Sequence, residues 1–165
     1  MRYFVTTLLA LLLTASVSEA QLGWTDQSTG DDVTLFSVNM LDASTIVAVG
    51  PDGLILRSTD AGASWRIVPS GTQNVLRRIR FHSPTLAVIT ANDGEMLKST
   101  DAGATWSPLQ TGTTKGLYDV HFFDENRWLA IGQGAYITQT TDGGATWKEK
   151  DTGTNNWNEV AFRGS

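Results

Sequence analysis

Cysteine is missing from this sequence, and histidine is nearly so. The 165 residues include no cysteine and two histidines, which excludes disulfides, thiol chemistry and thiolate metal sites. His82 and His121 have no second histidine or cysteine at a ligand spacing, which favours surface or inter-strand positions over metal binding. We therefore expect no metal and no cofactor, and stability that comes from the packing of apolar side chains.

Positive charge is scarce as well. The chain has 12 lysine and arginine residues against 17 acidic residues, a net charge of −5 at pH 7. Nucleic-acid binders need a positive field to displace counterions, so this balance argues against a nucleic-acid partner. The Gly-x-Ser-x-Gly motif of serine hydrolases and the glycine-rich loops that hold phosphates are also missing from the sequence.

Long apolar runs are confined to the N-terminus. Arg2 precedes a mostly apolar run from Phe4 to Leu13, and Ser18-Glu19-Ala20 provides the small residues that a signal peptidase accepts. This pattern predicts a signal peptide over residues 1–20 and export of the remaining chain, either to the periplasm or as a secreted protein. The run is too short for a permanent anchor, although an uncleaved anchor is an alternative. After cleavage we expect no integral membrane segment.

The most informative feature of the sequence is a repeat of 41 residues. The phrase STDAGASW begins at Ser58, STDAGATW at Ser99 and TTDGGATW at Thr140. Self-similarity at a period of about 20–50 residues indicates a repeat architecture. The tryptophans that end the phrase, Trp65, Trp106 and Trp147, have an earlier counterpart at Trp24, and outside the phrase the same spacing recurs at Gly30, Gly71, Gly112 and Gly153.

Each repeat is predicted to form four short strands. In the second repeat, apolar residues alternate over 75–81, a compact apolar run covers 85–90, and Asn92-Asp93-Gly94 marks a hairpin turn. Two further strands follow at 96–100 and 106–110, and no helical stripe of useful length is present. Four strands per ~40–45 residues are typical of a β-propeller blade.

We therefore predict an all-β fold of propeller-type blades, each with four antiparallel strands. The predicted domain covers 21–165, with full units at about 34–70, 75–111 and 116–152 and a partial unit from 156. A closed propeller needs at least about four blades, so three readings stay open: a truncated piece of a longer propeller, closure by self-association of two chains, or an open stack of sheets. Exposed strand edges argue against the open stack, and the end at Arg163-Gly164-Ser165 favours truncation.

The repeated phrase is predicted to be a turn and not a reactive site. Its aspartate can accept hydrogen bonds from turn amides, its glycine can take a positive φ, and its first hydroxyl can join the same turn. Its tryptophan can bury a large ring at the start of the fourth strand. Glycosidase carboxylates must lie about 5–10 Å apart, whereas equivalent positions in successive blades lie farther apart, so we expect no catalytic residues here. The predicted structural residues are Ser58, Asp60, Gly62, Trp65, Ser99, Asp101, Gly103, Trp106, Thr140, Asp142, Gly144 and Trp147.

The pattern S/T-x-D-x-G-x-T/S-W resembles the Asp-box, or BNR repeat, of sialidases, sortilin-type receptors and some glucanases. The wider frame, GLYDVHFFDENRWLAIGQGAYITQTTDGGATW over 116–147, is most similar to the photosystem II stability/assembly factor family. This resemblance covers Trp24 to Phe162 and implies a β-propeller. Plant and cyanobacterial members are assembly chaperones for a photosystem subunit, so it also implies an exported, non-catalytic scaffold that binds a protein or peptide partner.

The alternative implied by the Asp-box is a fragment of an exported sialidase-like or glucanase-like propeller that acts on carbohydrate. Sialidase chemistry would require an arginine triad, a tyrosine nucleophile beside a glutamate, and an aspartate acid. Tyr118 and Tyr136 are present, but no such constellation can be assembled from three repeats.

Two further features are candidates for binding. Arg77, Arg78 and Arg80 form the one dense basic cluster, on the predicted innermost strand of their blade. Arg78 and Arg80 share a face of that strand and Arg77 points the other way, so the cluster is either a docking site for a carboxylate or acidic peptide or a set of ion pairs with neighbouring blades. Trp128 is either a buried anchor, which we favour, or an exposed platform for a sugar ring.

Overall fold

The computed structural model of the chain describes residues 33–151. These residues form three four-stranded antiparallel sheets, and in each sheet the strands lie side by side in sequence order. We call the sheets blade 1, blade 2 and blade 3. The predicted all-β fold of propeller-type blades is thereby confirmed. The predicted signal peptide, the terminal strands around Trp24 and Val160 and the partial fourth unit lie outside the described residues.

Each blade falls within one of the predicted units. Blade 1 contains β1 (Ser37–Met40), β2 (Ile46–Val49), β3 (Ile55–Ser58) and β4 (Arg66–Ile67). Blade 2 contains β5 (Leu76–Phe81), β6 (Ala87–Ala91), β7 (Met96–Ser99) and β8 (Ser107–Leu109). Blade 3 contains β9 (Leu117–Phe122), β10 (Trp128–Gly132), β11 (Tyr136–Thr140) and β12 (Lys148–Asp151).

Helical structure is nearly absent from residues 33–151. Two 3-10 turns of three residues, Asn92–Gly94 and Gln133–Ala135, connect the second and third strands of blades 2 and 3. Asp93 takes the left-handed conformation inside the first turn, with φ of 56°, as expected of a short polar side chain in a tight turn. In this part of the chain, no helix reaches the length and apolar character that a membrane span requires.

The core lies between successive blades and not within any one of them. All five residues of β6 are buried, and because side chains alternate along a strand they supply two different interfaces. Ile89 packs with Val47 and Ile55 of blade 1. Val88 packs with Leu117 and Trp128 of blade 3.

The blades are arranged with their first strands adjacent. β1 contacts β5, and β5 contacts β9, so the first strands form the inner side of the array and the fourth strands the outer side. The arginine cluster lies on β5 and is therefore on the inner side. The turns that carry the repeated aspartates follow the third strands, near the outer side.

Candidate functional site

The Asp-boxes are self-contained hydrogen-bonded turns. The Ser99 hydroxyl donates to Asp101 Oδ1 at 2.8 Å and accepts from the amide of Gly103 at 2.9 Å. Asp101 also accepts from the amide and the hydroxyl of Thr105, at 2.9 and 2.6 Å. The boxes at Asp60 and Asp142 repeat the same set of bonds.

The same hydrogen bonds keep the box carboxylates ionised. The pKa values of Asp60, Asp101 and Asp142 are lowered from 3.8 to about 2. The largest cause in each box is the hydrogen bond donated by the hydroxyl of the residue four positions later. Hydrogen bonds to a carboxylate favour its charged form. A general acid needs a pKa near the working pH, so these carboxylates are unsuited to donating protons at neutral pH.

The boxes also connect neighbouring blades. Arg57 of β3 donates from Nε to the carbonyl of Ala102 at 3.1 Å, and that carbonyl belongs to the box of blade 2. One repeat later, Lys98 of β7 donates from Nζ to the carbonyl of Gly143 in the box of blade 3, at 3.0 Å. A basic side chain on the third strand of one blade is thus bonded to the box of the next blade.

Each box is tied to its own blade by a second set of backbone bonds. The amides of Ala61, Ala102 and Gly143 donate to carbonyls of Ser44, Thr85 and Asn126, which lie between the first and second strands of the same blades. The repeated turn therefore joins its own blade to the one before it. Between residues 33 and 151, no group of three or more histidine, aspartate and glutamate residues is placed to hold a metal.

Two arginines of the cluster, Arg78 and Arg80, lie against a buried carboxylate of the next blade. Asp119 of β9 is fully buried, and Arg80 donates to its two oxygens from Nε at 3.0 Å and from a terminal nitrogen at 2.9 Å. The Asp119 carboxylate also accepts from the amide of Val120 at 2.9 Å. This is the two-pronged geometry in which guanidinium binds carboxylate most strongly.

Arg78 approaches the same carboxylate without hydrogen-bonding to it. Its Nε lies 3.7 Å from Asp119 Oδ1, and 30% of its side chain is exposed. A separation above about 3.5 Å is too long for a hydrogen bond. Arg78 is therefore close enough to interact electrostatically with Asp119, and its side chain stays partly exposed.

Arg77 has a different environment from the other two arginines. Its Nε donates to Asn92 Oδ1 at 2.9 Å, and its guanidinium lies 5.5 Å from the ring centre of Tyr118. Both partners are neutral, and the second is a cation–π contact of the kind that arginine commonly makes. The structure therefore places Arg78 and Arg80 together against Asp119 and places Arg77 apart from them.

The two histidines and Trp128 take part in packing within the fold. Burial, and then the charge of Arg80, lower the pKa of His121, whereas Asp119 acts in the opposite direction. The exposed ring of His82 lies 5.1 Å from the ring of Phe122. Trp128 is fully buried and donates from its indole nitrogen to the carbonyl of Glu125 at 2.9 Å, which rules out a platform for a sugar ring.

Sequence reasoning missed Asp119 as the partner of the arginines and missed Arg57 and Lys98 as links between blades. The repeat itself carried both signals. Asp119 lies 41 residues after Arg78, so opposite charges occupy the same position in adjacent blades. Arg57 and Lys98 are also 41 residues apart, so a basic residue recurs at one position of the third strand.

The fold and the repeated turns define an Asp-box β-propeller. Residues 98–164 match the model of the family described as photosynthesis system II assembly factor YCF48. The resemblance to the photosystem II assembly factor-like family of Asp-box propellers, predicted from the sequence, is thereby confirmed. No curated protein sequence matches the chain.

Solved structures support the same fold. YCF48 bound to D1 peptide is 19% identical over 71% of this chain, with a TM-score of 0.63, and YCF48 from Cyanidioschyzon merolae is 22% identical over 76%, with a TM-score of 0.66. A GH74 enzyme of Niastella koreensis is 18% identical over 78% of this chain and 25% of its own, with a TM-score of 0.66. This chain spans 40% and 39% of the two YCF48 chains. Such identities show a shared fold.

Proposed function

We propose that the chain is a non-catalytic propeller module that binds an acidic segment of a protein or peptide partner, as a scaffold or assembly chaperone. The binding site is the inner side of blade 2, at Arg78 and Arg80. The similarity to YCF48, one structure of which holds D1 peptide, supports a peptide as the ligand.

The position of Arg78 carries this proposal. Arg80 already holds both oxygens of Asp119, whereas Arg78 lies 3.7 Å from that carboxylate and is partly exposed. Arg78 thus brings a second, partly exposed guanidinium next to a carboxylate that Arg80 already binds. Arginine can grip a second carboxylate with two parallel hydrogen bonds, so a side chain or a C-terminal carboxylate of a partner fits Arg78.

Binding can be tested with a fluorescein-labelled, glutamate-rich peptide that ends in an unblocked carboxylate. We expect fluorescence anisotropy to report saturable binding that weakens with added salt. Arg78→Gln should weaken binding by roughly 10-fold or more, because a hydrogen-bonded ion pair contributes about 1.5–3 kcal/mol.

Arg66→Gln is the matched control, because Arg66 is exposed on the outer strand β4. It should bind the peptide as the wild type does. Equal losses in the two variants would indicate a nonspecific charge effect, and the proposed site would then be wrong.

A fragment of a carbohydrate-active propeller is the second candidate function, favoured by the structural likeness to GH74 enzymes. Against it, each box carboxylate is occupied by hydrogen bonds within its own turn. We expect no new reducing ends when the protein is incubated with xyloglucan. Turnover that disappears in a folded Asp101→Asn variant would reverse this assignment.

We also propose that the chain is exported, on the basis of the apolar run and the small residues within positions 1–20. A fusion of the whole chain to alkaline phosphatase, which becomes active only outside the bacterial cytoplasm, should be active in cells. Leu11→Arg, which interrupts the apolar run, should abolish that activity. An equally active variant would contradict export by this segment.

Self-association is the last part of the proposal. The described residues form three blades, whereas closed propellers contain at least about four. We propose that a second copy of the chain completes the ring, which light scattering on the purified protein would report as a dimer.

A further inference from the structure

Two hydroxyl groups are buried inside the molecule without a partner. Thr90 on β6 and Thr138 on β11 are fully buried. Within residues 33–151, neither side-chain hydroxyl has a hydrogen-bond partner among the groups of the chain. Burying a hydroxyl without a hydrogen bond costs free energy, so such groups in folded proteins are nearly always bonded to the chain or to an ordered water.

Both threonines face the interface between blades 2 and 3. Thr90 lies opposite Met96 in the pairing of β6 with β7, and Thr138 lies opposite Ala130 in the pairing of β10 with β11. Residues directly opposite on antiparallel strands point to the same face of a sheet. Met96 and Ala130 belong to one buried cluster that joins the two blades. The two hydroxyls therefore enter the same interface, one from each blade.

The preceding interface is apolar at the equivalent positions. Val49 and Leu97 lie 41 residues before Thr90 and Thr138, and both are buried in the cluster that joins blades 1 and 2. Because the two interfaces are built from equivalent strands, this shared cluster places the two threonines in the same part of their own interface. Two apolar side chains of one interface are thus replaced by two hydroxyl-bearing side chains in the next.

The side chains beside the two hydroxyls are also smaller than their counterparts. Ile89 and Leu97 lie opposite each other in blade 2 and face blade 1. At the same repeat positions, blade 3 has Ala130 and Thr138. A buried water needs a polar site with enough room and about 2–4 polar partners. The smaller pair supplies room that the preceding interface fills with aliphatic groups.

The bulky ring of Trp128 lies in a neighbouring part of this interface. Trp128 occupies the repeat position of Ala87 and is fully buried. Its ring contacts those of Phe122 and Trp147, at centroid distances of 5.2 and 6.2 Å. These contacts hold the indole at the end of β10 that lies beside the box of blade 3.

We infer that one water molecule is bound between blades 2 and 3 by the hydroxyls of Thr90 and Thr138. A hydroxyl can donate one hydrogen bond and accept others, so a water can accept from one threonine and donate to the other. A bridging water is enthalpically nearly as good as a direct hydrogen bond. Because hydrogen bonds are directional, the bridge would fix the position of blade 3 on blade 2 more narrowly than apolar contacts do.

A double-mutant cycle tests whether the two hydroxyls share one partner. Thr90→Val and Thr138→Val each deprive the water of one hydroxyl and should each lower the urea midpoint of unfolding. Thr90→Val/Thr138→Val removes both hydroxyls and the water with them, so its midpoint should lie above the value given by adding the two single losses. Additive effects, whether losses or gains, would overturn a shared water.

Val49→Thr is the matched control at the interface between blades 1 and 2. It introduces a hydroxyl at the position equivalent to Thr90, among side chains that are all apolar, and it should lower the urea midpoint. A Val49→Thr variant as stable as the wild type would show that this position accepts a buried hydroxyl without a partner. That result would overturn the inference.

A high-resolution crystal structure provides the direct measurement. The wild type should show one peak of solvent density within hydrogen-bonding distance of both threonine Oγ1 atoms, and the double variant should lack it. Two threonine hydroxyls bonded directly to each other, or no density between them in the wild type, would overturn the water site.

Discussion

Arg57 on the third strand of blade 1 donates a hydrogen bond to the backbone carbonyl of Ala102, which lies in the Asp-box turn of blade 2. Lys98 and Gly143 repeat this relationship between blades 2 and 3. The Asp-box therefore does more than close a hairpin within its own blade. It presents a backbone carbonyl at a fixed place, because its amides and hydroxyls are occupied by its own aspartate, and the preceding blade binds that carbonyl.

Replacing Arg57 by methionine tests this link between blades. The variant keeps an apolar stem and loses the donor, so we expect the free energy of unfolding to fall by about 1–2 kcal/mol, measured by urea denaturation. Arg66→Met is the control, because Arg66 pairs with Arg57 across the strands and carries a like charge. It should leave stability unchanged or slightly raised. An equal loss in both variants would argue against a specific role for the Arg57 hydrogen bond.

The first hydroxyl of the box should contribute measurably to the stability of the protein. Ser99 is buried, and its hydroxyl accepts the amide of Gly103. Ser99→Ala leaves that amide unsatisfied, so we expect a loss of about 1–3 kcal/mol in chemical denaturation. Ser107→Ala removes an exposed hydroxyl that donates to the Lys98 carbonyl at 3.3 Å, and it should change stability very little. A neutral Ser99→Ala would show that the box does not depend on this bond.

Acid should destabilise the protein in a defined pH window. The pKa values of Asp60, Asp101 and Asp142 are lowered from 3.8 to about 2 by hydrogen bonds within their turns. A carboxylate with a lowered pKa in the folded state stabilises that state fully above its unfolded pKa. This stabilisation is lost as the pH falls through about 4 towards the folded pKa of about 2.

The measurement is the urea midpoint as a function of pH, which should be level near neutrality and fall steeply between about pH 4 and pH 2. Asp42 and Asp124 also have lowered pKa values, so the contribution of the boxes requires a comparison of variants. Asp101→Ala should lower the midpoint at neutral pH and reduce the fall across this window. A variant whose acid response matched that of the wild type would contradict the role of the Asp101 carboxylate.

Two glycines with the same backbone conformation should respond differently to alanine. Gly94 and Gly112 have φ of 72° and 75°, so alanine costs about 1–2 kcal/mol of conformational energy at either site. A Cβ at Gly94 would lie 1.9 Å from the carbonyl oxygen of Thr113, whereas a Cβ at Gly112 has no neighbour within 4 Å. Gly94→Ala should therefore destabilise the protein clearly more than Gly112→Ala, as measured by thermal unfolding. Equal losses would mean that only the φ angle matters.

The second and third strands of blade 2 were predictable because most of their residues are buried on both faces. β6 was predicted at 85–90 and spans Ala87–Ala91, and β7 was predicted at 96–100 and spans Met96–Ser99. Turn residues mark the boundaries: Asn92–Gly94 forms the expected tight turn. Such local signals depend on a few adjacent residues, so one sequence suffices to read them.

The contacts of the arginine cluster were not predictable in the same way. Alternation along a strand separates Arg77 from Arg78 and Arg80, but it does not say which carboxylate lies opposite. That depends on how far β9 is shifted along β5 and on how closely the blades approach. The structure places Asp119 there, buried and bound by Arg80, with Arg78 Nε 3.7 Å from the same carboxylate.

The amino-acid sequence alone determined the repeat, the four-stranded unit and the internal hydrogen bonding of the Asp-box, because each depends on groups within a few residues of one another. The tertiary structure alone decided which cations bind the box of the next blade and which arginine binds Asp119 through both oxygens. Those outcomes depend on the distance and register between sheets about 41 residues apart in the chain, and no short stretch of sequence contains that information.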